Sequence, residues 1–133
     1  KAEELKSYPF TLIGVDAEEA QKCMDKNNQT TCFINGNTLL IDLGEERTIT
    51  SFHYLPDQSE YNKGVIAAYE ISVGTDSNAV NQLVAKDEFS NIKSNPILQS
   101  VYFTPVNARY VQLKATRMIH DGEPMGLAEI GIQ

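Results

Sequence analysis

The stretch LLIDLGEERTITSFHYLPDQ, residues 39–58, decides the fold of this 133-residue chain. Apolar runs flank Gly44-Glu45-Glu46, and such a break is typical of a turn between two strands. The sequence therefore predicts two β-strands, residues 38–43 and 48–55, around a tight turn. After Pro56 the chain enters a polar loop, residues 57–64, with one aromatic side chain, Tyr61. The loop is either a binding surface or a solvated connection.

The rest of the chain continues the β pattern. One short helix is predicted after Asp16, because Asp16-Ala17-Glu18-Glu19 matches a capping box. Alternating apolar residues predict that Ala67, Tyr69, Ile71 and Val73 share one buried face. Further strands are predicted at residues 10–15, 65–75, 82–89, 99–106, 109–116 and 127–132. About eight short strands with one small helix favour an all-β fold, an antiparallel β-sandwich.

Composition excludes several classes of partner. The net charge is −7 and the basic residues are scattered, which argues against sequence-independent electrostatic binding to nucleic acid or to anionic lipid. No stretch approaches the roughly 18–20 apolar residues of a transmembrane helix. The length suits one domain. Because the chain begins KAEELKSYPF, without a signal peptide or initiator Met, we expect residues 1–8 to be a linker remnant and residues 9–133 to be the domain.

The two cysteines, Cys23 and Cys32, are close in sequence. With no third cysteine and no nearby histidine they do not form a zinc site. They are either a disulfide that closes a small loop, which implies an oxidising compartment, or two buried thiols.

Four segments occur along the sequence in this order: IDLGEERTITSFHYLP, AAYEISVGTD, VYFTPVNARYVQLKA and LAEIGI. In this order and at this spacing they resemble the discoidin, or coagulation factor V/VIII C-type, domain, and most of all the bacterial family-32 carbohydrate-binding modules. The resemblance covers residues 10–133. It implies a jelly-roll β-sandwich of the galactose-binding-like type and an accessory module rather than a catalyst.

The resemblance also implies a function and partners. We expect a non-catalytic module that binds a glycan and targets the catalytic domain of the same chain, a glycoside hydrolase such as a hexosaminidase, fucosidase or sialidase. The implied location is secreted, periplasmic or cell-surface in a bacterium, with no membrane insertion, and the isolated module is expected to be monomeric. The alternative is a structural or interaction domain that has lost sugar binding and packs against the catalytic domain or a partner protein. The absence of any Trp favours that alternative.

Family members often hold one structural calcium ion where the first loop meets the last strand. Asn27 stands where the family carries a second Asp, and Lys26 adds a positive charge, so we expect a weakened site. The alternative is a loop held by hydrogen bonds of Asp25, with Glu129 pairing with Lys26. The residues that match the calcium pattern are Lys22 and Ala128 through their carbonyls, with Asp25, Asn27, Thr30 and Glu129.

Sugars bind in this family on loops at one end of the sandwich. An aromatic side chain covers the C–H face of the ring while polar groups hold the hydroxyls. Tyr61 is the best stacking candidate, although it is nearly as well explained as a lid over the sandwich edge. The family's galactose-binding residues have no one-to-one match, so galactose specificity is not expected. Three loops, residues 33–37, 57–64 and 117–126, supply the candidates Asn35, Asp57, Gln58, Tyr61, Asn62, Arg117, His120 and Asp121.

Two smaller expectations concern side chains near these loops. His53 lies between Phe52 and Tyr54 and points to the opposite side of its strand, so we expect it on the surface without a ligand role. Met118, Ile119 and Met125 are expected to cap the core, although an exposed Met could line a pocket.

Overall fold

A computed structural model describes residues 5–133 of the chain. All strand pairs in this part are antiparallel, and the single helix is five residues long. The predicted all-β class and the short helix are therefore confirmed. The elements are β1 (Thr11–Ile13), α1 (Ala17–Gln21), β2 (Cys32–Ile34), β3 (Thr38–Leu55), β4 (Ile66–Gly74), β5 (Gln82–Glu88), β6 (Gln99–Met118), β7 (Met125–Leu127) and β8 (Glu129–Ile132).

Two long strands, β3 and β6, organise the sheet. The strand order is β1-β3-β6-β4-β5, with β8 also paired to β3, and β2 forms a separate ribbon with β7. The first part of β3 pairs with β1, whereas its last part pairs with β8. The two ends of β3 thus pair with different strands, which fits the predicted jelly-roll sandwich.

The predicted turn at Gly44-Glu45-Glu46 is wrong, because the chain does not reverse there. β3 runs through it as one strand of 18 residues. The pairing to β6 shifts from Asp42 opposite Tyr110 to Arg47 opposite Ala108, so the extra residues form a bulge. Gly44 adopts a φ of 83°, which glycine reaches without the steric cost of a Cβ.

Two further boundaries differ from the sequence prediction. The strands predicted at residues 99–106 and 109–116 are one strand, β6. Phe33 and Ile34, assigned to a loop, belong to β2, which pairs with β7. Short strands of two or three pairs carry too little alternation to be recognised from sequence.

The predicted buried faces are confirmed. Phe52 and Tyr54 are fully buried, and Tyr54 packs against the ring of Phe89 with the centroids 5.3 Å apart. The tyrosine hydroxyl donates to Gly126 O over 3.0 Å, which satisfies a polar atom inside the core. Met125 is buried, while Met118 and Ile119 pack against the core partly exposed.

His53 faces away from the core, as predicted, but the expectation that it lies on the surface is wrong. It is only 7% exposed. Its ring lies between Ser51 Oγ at 3.0 Å and Ser100 Oγ at 2.8 Å, and the Tyr102 ring approaches it edge-on. Burial lowers the pKa of His53.

Residues 5–8, which the sequence analysis predicts to be linker, pack against the final strand. Tyr8 donates its backbone N–H to Ile132 O over 2.8 Å, and Ile132 N–H donates to Ser7 Oγ over 2.9 Å. The Arg47 guanidinium lies over the Tyr8 ring. Residues 1–4 of the predicted linker lie outside the described residues.

Cys23 and Cys32 are free thiols, the second of the two alternatives, and both are fully buried. A hydrogen bond with Cys32, together with burial, raises the pKa of Cys23, so this thiol stays protonated at neutral pH. Among the described residues, no helix has the length and apolarity to cross a bilayer.

Candidate functional site

The three predicted loops meet at one end of the sandwich. Gly64 donates its N–H to Glu123 Oε1 over 3.2 Å and accepts from Gly126 N–H over 2.8 Å. A Cβ at Gly64 would collide with Pro124 O, so this approach of two loops requires glycine. The Phe33 ring, from the first loop, lies directly beside the backbone of Gly126. A Cβ at Gly126 would collide with this ring.

A shallow groove of about 470 Å³ lies between the first and the last of these loops. It contains Asn35, as predicted, and Met118, in line with the alternative that an exposed Met lines a pocket. It also contains Asn37 and Glu123, which sequence reasoning missed as ligand candidates. Asn37 and Glu123 are polar residues within the predicted loops, and the sequence does not distinguish them from the other polar residues there. Only the approach of the two loops shows that they line a groove. The lining is completed by Gly36, Gly122 and Pro124.

The middle loop is built around Asp57, which is only 4% exposed. Its carboxylate accepts from Thr31 Oγ1 over 2.8 Å and from Lys63 N–H over 2.8 Å. The backbone N–H and the hydroxyl of Ser59 donate to the same carboxylate. Burial by itself raises the pKa of Asp57, but these hydrogen bonds outweigh it and hold the pKa below its usual value.

Two more of the predicted sugar contacts are engaged inside the protein. Gln58 Nε2 donates to Pro56 O and Pro96 O, both over 2.8 Å. Asn62 Nδ2 donates to Asp57 O over 2.6 Å, and its backbone has a φ of 44°. The buried Asp57 carboxylate and these two half-buried amides hold the shape of the loop.

The remaining candidates are exposed. Tyr61 is 76% exposed at the tip of the loop that Asp57 holds, so it does not act as a lid over the core. Arg117 donates to Glu88 Oε1 over 2.8 Å. His120 and Asp121 lie exposed on the last loop. The structure therefore leaves Tyr61, His120, Asp121 and the groove residues as the surfaces open to a ligand.

The loop that follows α1 brings together four of the predicted calcium ligands, Lys22, Asp25, Asn27 and Thr30. Thr30 Oγ1 lies 2.6 Å from Asp25 Oδ2, 3.0 Å from Asn27 O and 3.2 Å from Lys22 O. A hydroxyl has one proton, so it satisfies one of these three acceptors at a time. Thr30 N–H also donates to Asn27 O over 3.2 Å. The carboxylate and carbonyl oxygens that converge here are of the kinds that a hard cation such as calcium prefers.

Glu129, at the start of β8, adds a carboxylate to this loop. It is 9% exposed, and its Oε1 has no hydrogen-bond partner among the described residues. Burial, and next the negative charge of Asp25, raise the pKa of Glu129 to about 7. The described residues contain no cluster of three or more His, Cys, Asp or Glu side chains suited to a metal, so the set depends on two carboxylates with carbonyl and hydroxyl oxygens.

A larger cleft, about 1040 Å³, lies beside this loop. Its walls come from residues 5–10 and from residues 23–28, with Leu55, Leu98 and Glu129 also in its lining. It shares no lining residue with the groove. The groove and this cleft are thus separate, and the groove is the one that lies among the predicted ligand loops.

Comparison with known proteins identifies the family. A sequence model of the F5/8 type C domain matches residues 15–130. The chain therefore belongs to the F5/8 type C domain family, as the four sequence segments predict. No curated protein sequence matches this chain significantly.

Solved structures show the same fold. CpGH89CBM32-5 from Clostridium perfringens, in complex with GalNAc-β-1,3-galactose, superposes with a TM-score of 0.74 at 21% identity over 93% of this chain and 91% of that one. The family-32 module of C. perfringens NanJ, in complex with galactose, gives 0.72 at 22% identity with the same coverage. Such identities establish the fold alone.

A third similar structure is a glycoside hydrolase 29 family member from an unknown rumen bacterium. It is 31% identical, with a TM-score of 0.70 over 91% of this chain, but only 21% of that protein is covered. The similar domain is therefore a small part of a much longer hydrolase chain.

Proposed function

We propose that this domain binds glycans through the three-loop end and holds a linked glycoside hydrolase near its substrate. The observation that carries the proposal is Tyr61, exposed on a loop that buried hydrogen bonds hold in place. An exposed aromatic side chain with no core to fill, at the end where the family binds sugars, is explained by ligand contact. The length of the hydrolase that contains a similar domain supports the link to a catalytic domain.

The chemistry of the end suits a saccharide. The C–H face of a pyranose packs on an aromatic ring such as Tyr61. Asn35 and Asn37 in the groove offer amide donors and acceptors for hydroxyl groups. One ring stack with a few hydrogen bonds gives dissociation constants near millimolar to micromolar. Such weak binding is useful in a linked module, because linkage raises the effective concentration of the enzyme at a polymeric glycan.

The loop after α1 is proposed as a structural calcium site. Asp25, Thr30 and Glu129 would hold the ion with side-chain oxygens, and Lys22, Asn27 and Ala128 with carbonyls. Bound calcium would neutralise the two carboxylates and fix the loop. The unpartnered Oε1 of Glu129 and the crowded oxygens at Thr30 support this proposal.

A secreted or cell-surface location in a bacterium fits the same proposal. The glycans that such modules bind lie outside the cell, and the sugar-bound relatives include modules from Clostridium perfringens. The catalytic domain of the same chain and a glycan are the proposed partners.

An array of immobilised glycans, probed with the isolated domain in calcium, tests the function. The domain is expected to bind a group of related terminal sugars. If a protein with a cooperative unfolding transition binds no glycan on a broad array, the proposal fails and a purely structural domain is the better description.

A further inference from the structure

We infer that Glu123 makes the groove selective by charge, so that it takes neutral or amino sugars and rejects sugars that carry a carboxylate or sulfate. This inference rests on the proposed glycan binding at the three-loop end. It adds a specificity-determining residue and the chemical class of the ligand.

Glu123 is the only ionisable side chain in the lining of the groove, as the described residues define it. The other polar side chains there, Asn35 and Asn37, are uncharged amides. Gly36 and Gly122 leave open space, since a Cβ at either position would meet nothing within 4 Å. A ligand can therefore approach both walls, and one carboxylate dominates the field that it meets.

The carboxylate is held in position rather than free to swing away. Gly64 N–H donates to its Oε1 over 3.2 Å, and Gly64 itself is fixed against Pro124. An ionised carboxylate offers about four lone pairs, so one backbone donor leaves capacity for ligand hydroxyl or ammonium groups. Glu123 is also partly buried, which reduces the screening of its charge by solvent.

Most neighbouring charges act in the same direction as Glu123. Arg117, near the end of β6, is paired with Glu88 at 2.8 Å, and Lys63, exposed beside Gly64 in the middle loop, is the opposing cation. Asp121 adds a second negative charge on the loop of Glu123, and the whole chain carries a net charge of −7. An acidic sugar in the groove would place like charges a few ångströms apart, whereas an amino sugar would gain an ion pair. The expected discrimination is about tenfold in affinity between otherwise matched sugars.

The test is a glycan array that carries neutral, amino and acidic sugars. It is followed by NMR titration with the neutral, amino and uronic acid forms of the sugar configuration that binds. The variant Glu123→Gln keeps an oxygen for the Gly64 N–H but removes the charge. The variant Asp76→Asn removes an equal charge from the exposed turn after β4, at the end of that strand that lies away from the ligand loops, and therefore controls for net charge.

The wild-type domain is expected to bind the neutral and amino forms about tenfold more tightly than the acidic form. Glu123→Gln should narrow this ratio severalfold, and Asp76→Asn should leave the ratio as it is. Equal affinity for the acidic form, or an unchanged ratio in Glu123→Gln, overturns the inference while glycan binding stands. An array without any hit overturns the proposed function, and the inference falls with it.

Discussion

The backbone N–H of Lys63 donates to Oδ2 of Asp57 over 2.8 Å, across the loop that carries Tyr61. This bond joins the two ends of the loop, and Thr31 Oγ1 attaches the same carboxylate to the chain before β2. The buried Asp57 thus fixes the loop from inside. Because the loop is already ordered, Tyr61 at its tip loses little conformational freedom when a ligand binds. Preordering of this kind reduces the entropy cost of binding a weak ligand.

Replacement of Asp57 tests this role. Asp57→Ala leaves the donors of Thr31, Ser59 and Lys63 without their acceptor, and should lower the free energy of unfolding by about 3 kcal/mol. Asp57→Asn keeps one acceptor oxygen and should cost less. Urea denaturation measures both values. A change below about 0.5 kcal/mol in Asp57→Ala would show that the loop does not depend on this carboxylate.

The same residue predicts a pH dependence. The pKa of Asp57 is lower in the folded protein than in the unfolded chain. Its contribution to stability is therefore full above the unfolded pKa, near about 4, and is lost as the pH falls through the folded pKa. The stability difference between wild type and Asp57→Asn should shrink below about pH 4. Urea denaturation across the range from neutral to acidic pH checks this, and a difference that stays constant would contradict it.

Calcium should stabilise the domain. With the ion at about one hundred times its dissociation constant, the gain is about 2.7 kcal/mol, visible as a rise in the melting temperature. Glu129→Gln and Asp25→Asn should abolish the rise, because each removes one of the two carboxylates of the loop. Asp121→Asn, an exposed acid on another loop, should keep it. A melting temperature that calcium leaves unchanged in the wild type would refute the proposed site.

The cysteines give a direct chemical test. Cys23 and Cys32 are fully buried, and the pKa of Cys23 is raised, so neither thiol should react with Ellman's reagent in the native protein. Denaturation should make both thiols reactive. If neither thiol reacts in the denatured, unreduced protein, the two cysteines form a disulfide instead.

The fold is predictable from sequence as far as local patterns reach. Alternation places Tyr69 and Ile71 of β4 on the buried face, and likewise Val111 and Leu113 of β6, because one side of each strand packs into the core. Gly44 misleads the prediction because a glycine with positive φ serves a hairpin turn and a bulge equally well. Only the continued pairing of β3 with β6 separates the two, and that contact is distant in sequence.

The candidate site is predictable at the level of loops but not of side chains. The sequence does not show whether a polar residue such as Asp57 or Gln58 binds a ligand or forms hydrogen bonds within its own loop. His53 shows the same limit, since alternation gives its side of the strand but cannot show that Tyr102 covers it. Glu123 becomes a candidate only once Gly64 is seen beside it.

The most direct test of sugar binding at the three-loop end compares two exposed tyrosines. Tyr61 is 76% exposed on the ligand loop and Tyr102 is 74% exposed on β6, so both are large rings open to solvent. Calorimetric titration of wild type, Tyr61→Ala and Tyr102→Ala with the strongest array ligand should show a loss of about tenfold or more for Tyr61→Ala alone. Equal affinity in all three proteins would contradict the account and place the sugar elsewhere.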